Sequence, residues 1–430
     1  MIKQLISKIK KKKFKVGIIG LGYVGLPLAA RFINENIDVL GVENDQTKID
    51  LLHNGESYIP DINKKNINYF KKNKNKITKN YGELKFVDVI FICLPTPLKG
   101  GNIPDMGILN KCIINLKKIV KNNQILILES TVYPGATMEL FKKLNKKNNF
   151  ILGKNFFLIF SPERENPGDH LFTYKVTPKV LGGSTKNCAI LGREIYKFIA
   201  KKTHTTKTIE IAEMSKLLEN SYRSVNIGLV NEFKIISQKM GINIWDVIDA
   251  AKTKNFGFRP FNPGPGTGGH CIPIDPLYLV WASQKKNFIP KLIRTSSELN
   301  LNMPKVLSIL ILNTLKNKKI KSKSILFIGA AYKKNVGDIR ESPSINLMEK
   351  FINKKFDVSY HDPFVKEVKI KNKILVSLSL NKINLQKKII ILTTDHDDVN
   401  YKKILQYGKI IFDSRGVYKN SKSNKKIHLI

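Results

Sequence analysis

The run from Val16 to Ile33, VGIIGLGYVGLPLAARFI, constrains this chain more than any other. A short apolar strand passes through Gly20, Gly22 and Gly25 into the start of a helix. In such a turn the first glycine allows a tight reversal and the second lets backbone approach a pyrophosphate. The third permits close packing of helix on strand, and the helix N-terminus faces the anion. Glu43 closes the next strand, IDVLGVEND, where a carboxylate binds ribose hydroxyls and repels a 2′-phosphate. The expected cofactor is therefore NAD rather than NADP.

Apolar runs at Val87 to Leu94, Gln124 to Leu128 and Phe156 to Phe160 alternate with helix-like segments, the pattern of a parallel sheet wound by crossover helices. From Glu210 the period changes. Ile211, Met214, Leu218, Val225, Leu229, Phe233, Ile236 and Met240 recur at three- and four-residue steps until Gly241, which predicts one long amphipathic helix. After Lys316 to Lys323 come SILFIGAAY, VSYHDP, IIILTT and IIFDSRG, so strands and helices alternate again. The expected fold class is α/β, with two Rossmann-like doubly wound domains joined by a central helical region. Boundaries are placed at 1–205, 206–318 and 319–430.

Composition narrows the class of protein. No apolar run is long and uncharged enough to cross a membrane, and Val16 to Ala30 carries four glycines and Pro27, so neither a membrane span nor a signal peptide is expected. Four scattered cysteines build no disulfide framework and no close zinc-type pair, which fits a reducing cytoplasm and no metal. The formal charge of +40 would by itself suggest a nucleic-acid or anionic-membrane partner. The lysines are spread with Asn and Ile, as in Lys64 to Asn80, with little arginine or aromatic interleaving, and read as a solvated surface.

Three groups of residues carry chemistry. NPGPGTGGHCIPIDP places Cys271 in a loop rich enough in glycine for close approach of substrate, with Asp275 four residues on. Lys216 and Asn220 project from one face of the long helix, beside its apolar stripe. They could stabilise an oxyanion or be an ordinary solvated face. FSPEREN follows a strand at the edge where open α/β sheets bind ligands. Glu163 there could act as acid or base, or form a surface ion pair with Arg164. Thr131, after QILILES, has a similar position.

Taken in order, GLGYVGLPLA, LPTPL, ESTVYPG, FSPERENPGD, KLLENSYRSVNIGLVNE, GPGTGGHCIPIDP, GAAYKKNVGDIRESPS and YHDP span nearly the whole chain. They resemble the UDP-glucose/GDP-mannose dehydrogenase superfamily. The resemblance implies an N-terminal NAD-binding domain, a central helical dimerisation region and a C-terminal domain for the nucleotide diphosphate. It also implies a UDP-sugar substrate, a cytoplasmic homodimer or higher homo-oligomer, and no nucleic-acid or membrane partner. The implied reaction oxidises a C6 alcohol to a carboxylate in two hydride transfers without release of the aldehyde.

Carried over by motif, Cys271 would be the nucleophile, forming a thiohemiacetal and then a thioester. Lys216 and Asn220 would stabilise the oxyanion, Asp275 would sit beside the nucleophile, and Glu163 with Thr131 would position water and relay protons. Cofactor contacts fall to Gly20, Gly22, Tyr23, Val24, Gly25, Glu43, Lys48, Thr96 and Thr131. Substrate contacts fall to Glu163, Arg164, Lys216, Asn220, Gly268, Lys333 and Arg340. Arg259 is the candidate for an arginine reaching a neighbouring subunit's sugar site, although local agreement around it is poor.

His270 before the nucleophile, the pair Glu163-Arg164 and the loop NPGPGTGGHC resemble the branch acting on UDP-N-acetylhexosamines. UDP-N-acetyl-D-glucosamine 6-dehydrogenation, feeding surface polysaccharide synthesis, is the expected activity. UDP-glucose, UDP-N-acetylmannosamine and GDP-mannose are its rivals. From another class, a basic nucleic-acid-binding protein on a Rossmann scaffold remains the alternative.

Overall fold

Short runs of β-branched and aromatic residues such as Val89–Ile92 (VIFI), Ile125–Leu128 (ILIL) and Phe157–Phe160 (FLIF) are buried at every position. Strands apolar on both faces belong to a parallel sheet covered by helices on either side. The computed structural model describes residues 2–59, 62–164, 176–421 and 424–430, and the chain forms two compact units, Met1–Leu218 and Glu219–Ile430.

In the first unit an eight-stranded sheet contains β1 (Lys15–Ile19), β2 (Asp38–Val42), β3 (Ile77–Thr78), β4 (Val89–Ile92), β7 (Ile125–Leu128), β8 (Phe157–Phe160), β9 (Lys179–Gly183) and β10 (Thr203–Thr206). A separate hairpin pairs β5 (Leu98–Lys99) with β6 (Ile103–Pro104). The strand order is β10-β9-β8-β7-β4-β1-β2-β3. Its β3-β2-β1-β4-β7-β8 portion is the order of a dinucleotide-binding sheet. All pairs are parallel except β8 with β9. The order reverses between β1 and β4, so the crevice at their carboxyl ends is the topological switch point.

Ahead of β1 the chain forms a lysine-bearing helix, Ile2–Lys10. Ile2, Leu5, Ile6 and Ile9 share one face, and that face packs on the core of the first unit while the lysines stay outside.

The helix Ile209–Lys239 runs across the unit boundary. In the second unit, Ile244–Ala251, Asp275–Gln284 and Lys291–Asn317 complete the helical region. A sheet of β11 (Ser324–Ile328), β12 (Asp357–His361), β15 (Ile389–Leu392), β16 (Ile411–Asp413) and β17 (Ile427–Leu429) follows, in the parallel order β12-β11-β15-β16-β17. Between β12 and β15 lies the antiparallel hairpin of β13 (Glu367–Ile370) and β14 (Lys373–Val376).

The long helix does not bury the stripe that its period announces. Ile211, Met214, Leu218, Leu229, Phe233, Ile236 and Met240 are exposed, whereas Glu213, Lys216, Asn220, Ser224, Asn231 and Lys234 are buried. Among the described residues no helix is long and apolar enough to cross a membrane.

Candidate active site

In the first unit the candidate residues follow the carboxyl ends of four strands that are contiguous in the sheet. Gly20 follows β1, Thr96 follows β4, Thr131 follows β7 and Glu163 follows β8. Gly20 adopts φ +86°, a conformation open to glycine, and the helix Gly25–Asn34 begins at the third glycine. A Cβ on Gly25 would collide with the Gly20 carbonyl oxygen, so this glycine is required for helix to lie on strand. A Cβ on Gly22 would meet no protein atom within 4 Å. Packing does not demand glycine there, but a pyrophosphate closing on the backbone does, and the turn fits NAD.

Glu43 is buried at the end of β2. Its Oε2 accepts Leu21 N–H at 2.9 Å, and its Oε1 accepts Asn44 and Asp45 N–H at 2.9 and 3.1 Å. A carboxylate has about four acceptor positions. These three bonds hold it against the turn and leave one for a ribose hydroxyl. Lys48 lies beside Asp45 at 3.7 Å and 5.8 Å from the Tyr58 ring, whose hydroxyl donates to the Leu21 carbonyl. Tyr23 is exposed, Val24 and Thr131 are half-buried, and Thr96 is buried.

Glu163 belongs to a buried charge network that its local sequence does not reveal. Lys179 Nζ lies 3.0 Å from Glu163 Oε2 and 2.8 Å from Glu129 Oε2, and Tyr196 donates to Glu129 Oε1 at 2.5 Å. Burial alone would lower the Lys179 pKa, but the two carboxylates outweigh it and the net shift is upward. Lys179 thus stays an ammonium and fixes the Glu163 carboxylate. Arg164 donates its backbone N–H to Glu163 Oε1 and its guanidinium to the Pro178 carbonyl. Lys216 Nζ donates to the Glu163 carbonyl at 2.6 Å, which joins two of the predicted residues. Residues 165–169, the rest of FSPERENPGD, lie outside the described residues.

Glu213 is a further residue that no motif singled out. Fully buried, it accepts N–H of Gly135 and Thr137 and the Thr137 hydroxyl, at 2.5, 2.9 and 2.6 Å, at the N-terminus of the helix Ala136–Asn145. A carboxylate suits a helix N-terminus, so Glu213 anchors ESTVYPG to the long helix.

In the second unit Cys271 is exposed, whereas Cys93, Cys112 and Cys188 are buried, and none forms a disulfide. The Cys271 carbonyl accepts Asp275 N–H at 2.8 Å, which folds the Cys271 loop onto the helix Asp275–Gln284. Asp275 is itself buried, and Asn220 Nδ2 donates to its Oδ2 at 2.5 Å. Lys216 and Asn220 are therefore both buried and bonded, which removes the reading of a solvated face. Burial also lowers the pKa of His270, keeping the imidazole beside Cys271 neutral near pH 7.

The loop around Cys271 is held by amides that sequence reasoning missed. Gly264 N–H donates to Asn231 Oδ1, Asn231 Nδ2 to Asn300 Oδ1, and Asn300 Nδ2 to the Ser224 carbonyl, at 3.0, 3.0 and 2.9 Å. Gly268 packs so closely that a Cβ would lie 2.5 Å from Tyr332 Cβ, and Gly269 N–H donates to the Arg340 carbonyl at 2.9 Å. The Cys271 loop and GAAYKKNVGDIRESPS are thereby brought together. Lys333 is half-buried, and Arg340 forms a paired contact with the Asp338 carboxylate, its Nη2 at 2.6 Å. Arg259 is exposed. Among the described residues no group of three or more His, Cys, Asp or Glu side chains could hold a metal.

A dinucleotide turn, a cysteine set in a glycine loop and a second parallel sheet define a nucleotide-dependent dehydrogenase. The chain belongs to the UDP-glucose/GDP-mannose dehydrogenase family and uses NAD: its NAD-binding domain model matches residues 14–200, its central domain 210–302 and its UDP-binding domain 326–420. A UDP-N-acetyl-D-mannosamine dehydrogenase of Methanococcus maripaludis is 33% identical over 95% of this chain and 94% of its own length. A UDP-N-acetyl-D-glucosamine 6-dehydrogenase of Pseudomonas aeruginosa is 35% identical over 82% of this chain and 84% of its own. The solved structure of a UDP-D-ManNAc dehydrogenase from Pyrococcus horikoshii superposes with a TM-score of 0.83 at 30% identity, covering 93% of this chain and 95% of that one.

Proposed function

We propose that this enzyme is the 6-dehydrogenase of a UDP-linked N-acetylhexosamine, with UDP-N-acetyl-D-mannosamine as its first substrate. The observation that carries this reading is the exposed Cys271 thiol in a loop pinned to the buried Asn220–Asp275 pair. The mannosamine epimer is favoured by the relatives in Methanococcus and Pyrococcus. The expected UDP-N-acetyl-D-glucosamine stands as the second reading, on the Pseudomonas relative.

Two NAD molecules, bound in turn, would each take up one hydride of the four-electron oxidation. The chain supplies the rest. Cys271 as thiolate adds to the C6 aldehyde, which keeps that intermediate on the enzyme, and the thioester that follows is opened by water. Lys216 and Asn220 donate to the developing alkoxide, and Asp275 orients Asn220. Glu163, fixed by Lys179, and Thr131 direct the water and take up its proton. Lys333 and Arg340 supply cations for the diphosphate, and Arg340 would exchange its Asp338 contact for phosphate oxygens.

In this reading 1–205 binds NAD, 206–318 carries the nucleophile and pairs subunits, and 319–430 holds the UDP-sugar. The exposed apolar face of Ile209–Lys239 is the surface on which a second copy packs, because so many large apolar side chains on one helix face seek cover. A cytoplasmic location suits the exposed thiol.

A panel of UDP-N-acetylmannosamine, UDP-N-acetylglucosamine, UDP-glucose and GDP-mannose, with NADH counted against sugar consumed, tests the reading. Two NADH per sugar are expected with the acetamido sugars, and one would indicate a simple alcohol dehydrogenase. Cys271→Ser is expected to lower acid formation by on the order of 10³-fold or more while NAD still binds. Full turnover of that variant would exclude the thioester.

A further inference from the structure

A cleft of about 410 Å³ lies in the second unit, built from the end of the long helix (Lys234, Gln238), the turn into Ile244–Ala251 (Asn243, Trp245) and the strand β17 (Ile427, Leu429). That volume is within the range of small-molecule sites. None of the residues assigned above to NAD, the diphosphate or the nucleophile lines it. Its walls are mostly apolar, with the Trp245 indole packed against Gly416.

Among the described residues Lys234 is the one charged side chain in its lining, which also includes Ile430. Lys234 is 3% exposed and its Nζ is buried with no hydrogen-bond partner. An amine in that position gives up its water and receives nothing in exchange. Burial pushes its pKa down to about 7, with Arg415 lowering it further and Asp413 opposing. Neither neighbour bonds to it. Asp413 accepts N–H of Arg415, Gly416 and Tyr418, and the Arg415 guanidinium donates to Asp395. Of the remaining charged groups nearby, Lys419 is paired with Asp249.

We propose that this cleft is a second ligand site, taking a small organic monocarboxylate with an apolar or aromatic body. The carboxylate bonds to Lys234 Nζ, the body lies along Trp245, Ile427 and Leu429, and Gln238 at the mouth meets polar substituents. A single buried ammonium balances one negative charge. A phosphate has no apolar body for these walls, and its dianion would remain undercompensated beside Asp413, which selects a carboxylate.

The test is calorimetric titration of the full-length enzyme with phenylacetate, its neutral amide phenylacetamide, and inorganic phosphate, at pH 6 and pH 9. Phenylacetate is expected to bind in the millimolar range or tighter, and at least tenfold more weakly at pH 9, because only the ammonium form accepts it. Lys234→Met should abolish that binding, and Ile427→Trp, which fills the cleft and keeps the lysine, should do the same. Both variants should keep turnover with UDP-sugar and NAD, which reports their folding. No binding of phenylacetate to the wild type, equal binding of the amide, stronger binding of phosphate, or retention of phenylacetate by Lys234→Met would each overturn the proposal. Failure of the sugar panel would leave it standing, since none of these titrations contains substrate.

Discussion

The chain makes the same turn twice and uses it in two different ways. After β1, Gly20 takes a positive φ and a helix starts at Gly25. After β11, Gly329 takes φ +96°, but the next helix, Pro343–Asn353, starts far later. Both turns are latched by an acid at the end of the neighbouring strand: Glu43 accepts Leu21 N–H, and Asp362 accepts Ala330 and Ala331 N–H at 2.8 and 3.0 Å. The first turn keeps glycines and offers backbone and a helix N-terminus. The second replaces them with Ala330 and Ala331 and inserts a loop carrying Lys333 and Arg340, so it offers side chains. In the proposed function one scaffold thus meets a dinucleotide through the backbone and a diphosphate through cationic side chains, and the choice lies in whether the helix follows at once.

The two acids also differ in what they have left to give. Glu43 keeps an acceptor position, whereas Asp362 Oδ2 additionally meets His396 Nε2 at 3.0 Å and Oδ1 accepts Phe364 and Val365 N–H. Asp362 is spent on structure.

The largest effect that would sharpen this contrast is expected from Gly25→Val. Its side chain has no room against the Gly20 carbonyl, so the helix must shift. NAD binding should be lost and the first unit should lose about 3 kcal/mol or more, read by fluorescence titration and thermal melting. Tolerance of valine there would mean that the helix does not dock on the strand.

Next in size, Glu43→Gln should weaken NAD roughly tenfold or more, by 1.4 kcal/mol or so, and narrow the preference over NADP, while KM for UDP-sugar stays put. Equal loss for both nucleotides would assign Glu43 to holding the turn alone. Lys333→Ala should raise KM for UDP-sugar by roughly tenfold with NAD unaffected. An unchanged KM would break the comparison, since the second turn would then bind something else.

The smallest effect concerns acid. Burial would raise the Asp362 pKa, but His396 and the amides of Ala331 and Ala330 outweigh it, and the net shift is downward. Asp362 therefore contributes stability that is present above its unfolded value of about 3.9 and is lost as pH falls through its lower folded value. Asp362→Asn should flatten that part of the acid melting curve.

Much of this was legible from residues alone. Gly20, Gly22, Gly25 and Glu43 announce the first turn because each must be what it is for a local reason. The Cys271 loop stood out because it sets the cysteine among glycines and prolines rather than within an apolar periodic segment. Lys179, Glu213, Asn231 and Asn300 were not legible. Each is defined by a partner far along the chain, Lys179 by Glu129 and Asn231 by Asn300 and Gly264, and no local pattern encodes such pairings.

The long helix marks the division most clearly. Sequence by itself determined that Ile209–Lys239 is a helix with one apolar and one polar face, since side-chain period and backbone period coincide. Only tertiary structure decided that the polar face goes inside. Glu213 finds Thr137, Asn220 finds Asp275 and Asn231 finds Asn300, so burial leaves these groups bonded, and the apolar stripe is left facing outward. Hydrophobic period tells which residues lie together. Which side is buried depends on partners that only the folded chain brings within hydrogen-bond reach.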